Sequence, residues 1–440
     1  MRILFLTYHG FDPGSGISKK MLAQIKGLRQ AGHEVHVCSY DYAANGHLCR
    51  FIDDEPIKDY GKGMVAGIWQ RMSYGCIADY CIREGIELVY SRNYQNASPW
   101  LVHLFSRLKK AGIRSVQEIP TYPYDGEFKG FPWDKQVGLF VDKLFRKALA
   151  REMQAVVTFS DAREIFGQRT VNISNGVDFD TIPLHRFEGR RDGDIHVIAV
   201  AEVHTWHGFD RFIHGMGEYY GSRKEEGGMR KENSSASKGI LSPPIPALGS
   251  AAWLVQELRS PTRSLSSLLS PLNTSYLVPR NRDARKVFFH IVGDVWEPEM
   301  NGSDRAPGFA PLIKRYGIEP YVIFHGKLFG DELTKVFNQC VFAVGSLGRH
   351  RSGITHIKTL KNREYASRGI PFIYSECDSD FDRQPYVLKA PADESPIDIQ
   401  RVVDFIDTYD AHPAVIRKTV EHLSWKRQMQ LVVESLMFNL

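Results

Sequence analysis

At 440 residues, with 43% hydrophobic, 24% charged and 12% aromatic residues, the chain is too long for one ordinary core, and its composition excludes wholesale disorder and fibrous repeats. A formal charge of +5 is too mild to argue for a nucleic-acid partner; it suits anionic small ligands or loose contact with an anionic membrane surface. The six cysteines, Cys38, Cys49, Cys76, Cys81, Cys340 and Cys377, show neither a CxxC metal spacing nor the density of a disulfide framework, so a reducing cytoplasm is the expected compartment.

The opening Met1-Arg2-Ile3-Leu4-Phe5-Leu6-Thr7 holds one charge and an apolar run far short of a span of ~20 apolar residues, and reads as a buried first strand. After it come His9 to Gly16, with Gly14-Ser15-Gly16, and then Met21, Leu22, Ile25 and Leu28 at helical spacing. Gly32-His33-Glu34 ends that helix and Val35-His36-Val37-Cys38 is the next strand, which completes a right-handed βαβ unit. Further strands are expected at Ile86–Tyr90, Ser115–Ile119 and Ala155–Phe159, with helical patterns between them. A short strand at Thr170–Ser174 and an Asn175-Gly176 turn close a first domain near residue 185. A second alternating series runs through His196–Val200, Val287–Val292, Tyr321–Phe324, Val341–Val344 and Pro371–Tyr374, giving a second α/β domain over 190–414.

Between 221 and 285 the composition shifts to Ser, Pro, Gly and charge, apart from a helix-like island at Trp253–Leu258, and the segment reads as a mobile surface insertion. The stretch 415–440, through Trp425, has a helical pattern. The fold class expected is therefore α/β, two doubly wound parallel sheets facing each other across a cleft.

Chemistry concentrates in three places. The Gly14-Ser15-Gly16 loop leads into a helix and can face an anion or a sugar hydroxyl with its N–H groups, or equally be a tight turn; it is not a full GxGxxG fingerprint. Glu118-Ile119-Pro120-Thr121-Tyr122-Pro123-Tyr124-Asp125 leaves a strand at the carboxyl edge where open sheets bind ligands, so Glu118, Tyr122 and Asp125 are candidates for gripping a sugar, or parts of a rigid proline loop. Ser346-Leu347-Gly348-Arg349-His350-Arg351 leads to a helix carrying Lys361, Arg363 and Glu364. Arg349, Arg351 and Lys361 are the right cations for charge developing on a departing diphosphate, and Glu364 can accept both hydroxyls of a ribose. Arg363 reads as a solvated surface charge.

The order of these features resembles the retaining GT-B glycosyltransferases of family four. It rests on Gly14-Ser15-Gly16, Gly32-His33-Glu34-Val35, Ile173 to Asp178, Val292-Gly293-Asp294, Phe324-His325-Gly326 and Arg363-Glu364-Tyr365-Ala366 through Gly369-Ile370-Pro371-Phe372-Ile373. The resemblance implies a nucleotide-sugar donor on the second domain, an acceptor on the first, no metal or other cofactor, and a terminal helix crossing back to the first domain. It makes Glu364 the ribose ligand and places the base beside the loop after Gly326. Taken with the chemistry of the residues themselves, donor contacts are expected at Arg349, His207 and Ser346, catalytic contacts at Arg351, Lys361 and His356, and acceptor contacts at Gly16, Glu118, Tyr122 and Asp125.

The sequence departs from the family at several points. His356 stands where the first glutamate of the family pair belongs, and Glu202 and His207 where its phosphate-binding arginine and lysine belong, so that His207 could serve only when protonated. Val295 replaces a glycine. Trp206-His207-Gly208 together with Ser346 to Arg351 looks like a branch found among bacterial surface-polysaccharide enzymes. Lipid-linked acceptors would bring such an enzyme into peripheral contact with the inner face of a membrane, although no stretch reads as a strong amphipathic anchor. A non-catalytic nucleotide-sugar-binding scaffold and a nucleotide-sugar epimerase are the alternatives; an epimerase needs a pair of poised acids and bases that the sequence does not display.

Overall fold

A computed structural model describes residues 1–12, 15–125, 132–187, 193–233, 285–294 and 308–437. The first half begins with β1 (Arg2–Leu6), α1 (Gly16–Gln30), β2 (Glu34–Tyr42), β3 (Leu48–Ile52), β4 (Glu55–Asp59), α2 (Gly63–Met72) and α3 (Gly75–Arg83). It continues through β5 (Leu88–Arg92), α4 (Pro99–Lys110), β6 (Arg114–Ile119), α5 (Trp133–Glu152), β7 (Ala155–Thr158), β8 (Glu164–Ile165) and β9 (Gln168–Asn172). These strands form one nine-stranded sheet in the order β4-β3-β2-β1-β5-β6-β7-β9-β8. Its centre is parallel; the antiparallel β3 and β4 extend one edge and β8 pairs antiparallel with β9 at the other.

The second half comprises β10 (Ile195–Val200), α6 (Phe209–Asn233), β11 (Val287–Val292), α7 (Ala310–Tyr316), β12 (Val322–Gly326), α8 (Gly330–Gln339) and β13 (Phe342–Val344). Then follow α9 (Leu360–Arg368), β14 (Phe372–Tyr374), β15 (Val387–Lys389), α10 (Ile399–Thr408), α11 (Pro413–Lys418) and α12 (Trp425–Met437). The six strands are all parallel in the order β12-β11-β10-β13-β14-β15, the doubly wound arrangement whose strand order reverses beside the first strand. Buried on both faces, these strands read as continuous apolar runs, such as Val287-Phe288-Phe289-His290-Ile291-Val292.

Each sheet has a core on both faces. In the first half, β1 and β5 send Phe5 and Tyr90 toward α1 and α12 on one side, and Leu4 and Val89 toward α3, α4 and α5 on the other. In the second, α6 and α10 cover one face while α9 and the 416–423 stretch cover the other. The last helix, α12, thus belongs to the first core: Trp425, Met429, Val432, Val433 and Leu436 pack with Met21, Ile25 and Leu28 of α1. Leu22, expected on that buried stripe, is exposed, because α1 turns only one face to the sheet and α12.

Residues 221–233, expected to begin an insertion, continue α6, and Arg285 is buried in an ion pair with Asp407. The remainder of that segment, including Trp253–Leu258, lies outside the described residues, as do Gly14 and Val295.

Candidate functional site

A cleft of about 1170 Å³ lies between the two sheets, with Gly16, Lys19 and Lys20 of α1 on one wall and Phe329, Lys361 and Glu364 on the other. It opens where α8 and α9 begin, at the carboxyl edge of the second sheet, the edge that binds ligands in doubly wound folds. Thr359 caps α9, its hydroxyl accepting from the Asn362 N–H at 3.5 Å, and the first turn of that helix carries Lys361.

Lys361 as a residue is partly exposed on the cleft wall, but its Nζ is buried and has no hydrogen-bond partner among the described residues; this ammonium lies 5.4 Å from the centre of the Phe209 ring. Burial, reinforced by the Arg349 guanidinium, pushes this amine well below the ordinary lysine range, while Glu376 pulls it partly back. One turn on, Glu364 lines the cleft and receives Arg368 at 2.9 Å, an i,i+4 pair that leaves the carboxylate half-buried and oriented.

Arg363 overturns its expected place on the surface. It is 1% exposed; its guanidinium pairs with Asp378 and Asp380 and donates to Ser174 Oγ at 2.9 Å. Since Ser174 belongs to the segment joining the two sheets, and Asn175 donates to the Lys358 carbonyl, this arginine fastens that segment to the start of α9.

Arg351 is likewise occupied. It reaches Asp210 at 2.8 Å and Glu394, and donates to the Thr205 carbonyl at 2.8 Å; these partners hold its charge and it does not line the cleft. It joins the 349–352 turn to the 205–207 turn and to Asp210 at the start of α6. Gly208, at φ 63°, would place a Cβ 2.7 Å from the Gly348 nitrogen, so the loops touch backbone to backbone. His207 lies inside this contact: its Nδ1 accepts the His204 N–H at 3.0 Å, which leaves its proton on Nε2. Burial, with Lys361 and Arg349 nearby, drives its pKa well below the ordinary value, so it is a neutral imidazole rather than the cation proposed from sequence.

Arg349 stacks over Trp206 at 5.6 Å, and Ser346 is fully buried with its Oγ unpartnered. His356 is exposed, its Nδ1 beside Thr355 Oγ1 at 3.0 Å, and lies outside the cleft, as does exposed Gly326 at the end of β12.

In the first half, Gly16 starts α1 at the cleft wall. Glu118 is 0% exposed: Lys20 reaches it at 3.2 Å, Arg92 at 3.0 Å, and Tyr90 and Gln24 donate to the same carboxylate at 2.5 Å. Burial alone would raise its pKa, but Lys20 and Arg92 outweigh it and hold the carboxyl at about 2. A carboxylate so engaged positions Lys20 and does not itself reach an acceptor. Lys20, by contrast, lines the cleft with its Nζ 3.5 Å above the Phe159 ring, and burial lowers it to about 7. Tyr122 packs edge-on against Phe166, and Asp125 pairs with Arg146 at 2.7 Å and Lys143 at 3.2 Å; neither lines the cleft.

Three groups escaped the sequence reading, two on the cleft wall and a third, Glu376, buried and not among the residues that line it. Phe329, half-exposed at the start of α8, sits under Lys19 at 4.3 Å and offers a flat apolar surface after the Gly326 loop. Lys20 looked like one more polar residue of an amphipathic helix. Glu376, beyond β14, is 2% exposed and burial raises it to about 7. Among the described residues no three His, Cys, Asp or Glu side chains converge to hold a metal ion.

No family model matches the sequence, and no curated protein matches it. Solved structures do. Sucrose-phosphate synthase from Thermosynechococcus elongatus superposes with a TM-score of 0.56 at 12% identity, covering 98% of this chain and 97% of that one. The N-terminal domain of Candida albicans trehalose-6-phosphate phosphatase gives 0.54 at 11% identity, over 99% and 96%. A trehalose-6-phosphate synthase gives 0.53 at 10%, over 100% and 99%. At these identities the likeness establishes the architecture: the chain has the GT-B fold of glycosyltransferases, two Rossmann-like halves across a cleft.

Proposed function

We propose that the chain is a glycosyltransferase that moves a sugar from a nucleoside diphosphate sugar to a glycan or lipid-linked acceptor, with retention, in surface-polysaccharide assembly. The observation that carries this reading is the unpaired Lys361 amine, buried in the first turn of α9 and three residues before Glu364 on the cleft wall. A buried amine without a hydrogen-bond partner costs stability, and a diphosphate would supply the missing charge. In support, an E. coli structure in the same fold class, at TM-score 0.53 and 10% identity, holds UDP-2-fluoro glucose.

In this reading Glu364 accepts the ribose hydroxyls, Phe329 stacks on the base, and Lys361 with the N–H groups of the first turn of α9 holds the diphosphate. The acceptor approaches from the α1 wall, past Gly16 and Lys20. Its hydroxyl attacks the anomeric carbon on the face the diphosphate leaves; the sugar–phosphate bond breaks with its electron pair going to the phosphate oxygen, and that oxygen takes the hydroxyl proton. Catalysis is stabilisation of the leaving group by Lys361 and the helix, with no metal or other cofactor taking part.

Thermal stabilisation across a panel of nucleoside diphosphates and nucleotide sugars tests this. A selective rise in melting temperature for one base, abolished in Lys361→Ala and Glu364→Ala, is expected. No shift with any nucleotide would leave the scaffold reading in its place.

The chain is further proposed to work at the inner face of a membrane. Contrary to the expectation from sequence, there is an amphipathic face: α2 exposes Met64, Val65, Ile68 and Trp69, and α5 exposes Trp133, Val137, Phe140 and Leu144 at i, i+4, i+7 and i+11. No helix among the described residues is long and apolar enough to cross a membrane.

A further inference from the structure

The strand β14 ends at Tyr374, and the chain then runs beside two other segments. Ser375 N–H donates to the Ser346 carbonyl at 3.0 Å, while Cys377 pairs with the 355–357 stretch: its N–H reaches the Thr355 carbonyl at 2.8 Å and its carbonyl accepts the Ile357 N–H at 3.0 Å. In extended chain successive side chains alternate in direction. Cys377 and His356, opposite each other on this bridge, are both exposed, so Glu376 is turned the other way, into the protein.

There it meets an unusual set of neighbours. Neither Glu376 oxygen accepts a hydrogen bond from another residue; Lys361 Nζ has no partner, and neither does Ser346 Oγ. Glu376 is electrostatically coupled to Arg349 and Lys361. One orphaned polar group can be a local imperfection, but native interiors leave few of them. Here there are three, from separate segments: Ser346 and Glu376 follow β13 and β14, which the Ser375–Ser346 backbone bond holds side by side, and Lys361 on α9 acts electrostatically on Glu376. The pattern asks for a ligand with hydroxyl donors toward the carboxylate and anionic oxygens toward the amine.

We infer that Glu376 holds the hydroxyls of the sugar being transferred, which makes it the specificity-determining residue of the donor subsite. The inference rests on the reading of this cleft wall as the donor site. A carboxylate repels phosphate but accepts two hydrogen bonds from neighbouring sugar hydroxyls, so its partner is the part of the donor beyond the diphosphate that Lys361 holds. His356, exposed on the opposite side of the bridge, takes no part in that contact. Burial raises the Glu376 carboxyl to about 7, as expected of an acid that no other residue answers with a hydrogen bond.

The test compares Glu376→Gln and Glu376→Ala with wild type in calorimetric binding of matched pairs: each nucleoside diphosphate and the corresponding nucleotide hexoses. Both variants are expected to keep nucleoside diphosphate affinity, to lose on the order of 10- to 100-fold for the preferred nucleotide sugar, and to discriminate less between hexoses. Their melting temperatures should stay close to wild type, because neither Glu376 oxygen makes a hydrogen bond to another residue that the substitution would break. Affinities for diphosphate and nucleotide sugar falling together, or neither changing, would overturn the assignment of Glu376 alone. A wild-type protein that binds no nucleotide would overturn the donor site as a whole, and this inference with it.

Discussion

Two basic residues two positions apart on α9 have opposite surroundings. Arg363 is answered by Asp378, Asp380 and Ser174; Lys361 has Glu376 nearby but no hydrogen bond at all. Sequence could name Lys361 as a phosphate cation because its chemistry and its place after a strand and loop suggested it. It could not find the Asp378-Asp380 pair beneath Arg363, since partners 15 and 17 positions away in a polar loop leave no periodic signal. Glu376 was missed for the same reason: Ser375-Glu376-Cys377 looks like any polar turn, and only the bridge to 355–357 shows which way it faces.

The unpaired amine predicts a pH dependence. In the free protein burial and Arg349 lower the Lys361 pKa; a bound diphosphate favours the ammonium and raises it. Between those two values binding takes up a proton, so affinity falls as pH rises through that window and is level below it, with a steepest slope of about tenfold per pH unit for one proton. Glu376 titrates beside it in the same sense, while His207 stays neutral. Calorimetry of nucleoside diphosphate binding in buffers of different ionisation heat should show proton uptake that is reduced in Lys361→Met; an affinity that rises with pH would contradict it.

At the scale of elements, the βα grammar of both halves was legible because each central strand is a short apolar run between helical patterns; two such series implied two doubly wound domains, and the GT-B arrangement came from the resemblance. The edges were not. β4, with Glu55, Lys58 and Asp59, is an exposed edge strand where apolar patterning has no burial to report, and its partner β3 is buried but interrupted by the charged Arg50. The seating of α12 depends on two glycines whose role is steric. A Cβ on Gly27 would lie 2.7 Å from the Trp425 carbonyl carbon, and one on Gly176 would lie 2.3 Å from its indole. Trp425 also donates its N–H to the Val177 carbonyl at 3.2 Å, and Gln428 accepts from the Ser174 N–H at 2.8 Å, so α12 is bound to the segment between the sheets. Gly176→Ala should therefore overpack this junction and cost about 1–3 kcal/mol in denaturant unfolding. In a double-mutant cycle most of that penalty should vanish in a Trp425→Leu background, because the indole it clashes with is gone. Additive effects would place the strain elsewhere.

For the whole molecule, the uneven surface matters more than the net charge. Helix α4 packs against both α2 and α5, so the exposed stripes of those helices flank Trp100 on one side of the first sheet. Because α4 and α5 follow parallel strands β5 and β6, their first turns, with Trp100 and Trp133, lie at the carboxyl edge of that sheet, the edge that faces the cleft in this fold. The cations on these helices match an anionic surface: Lys62 and Arg71 stand at α2 with no acidic residue in that helix, and Lys147 and Arg151 lie along α5, which also carries Asp142 and Glu152. Three indoles beside exposed aliphatics and lysines are the equipment of an interfacial helix rather than of a dry protein contact. Flotation with vesicles of neutral lipid and with vesicles containing about a third anionic lipid should show binding that needs the anionic lipid and weakens with salt. Replacing Ile68 and Trp69, or Trp133 and Phe140, by serine should abolish flotation while leaving melting temperature and nucleotide binding intact, since these side chains touch neither core nor cleft. If instead the wild-type protein ignores both vesicles and is a dimer in solution that the same substitutions dissociate, the face is a homodimer interface, and a lipid-linked acceptor would have to reach the cleft by another route.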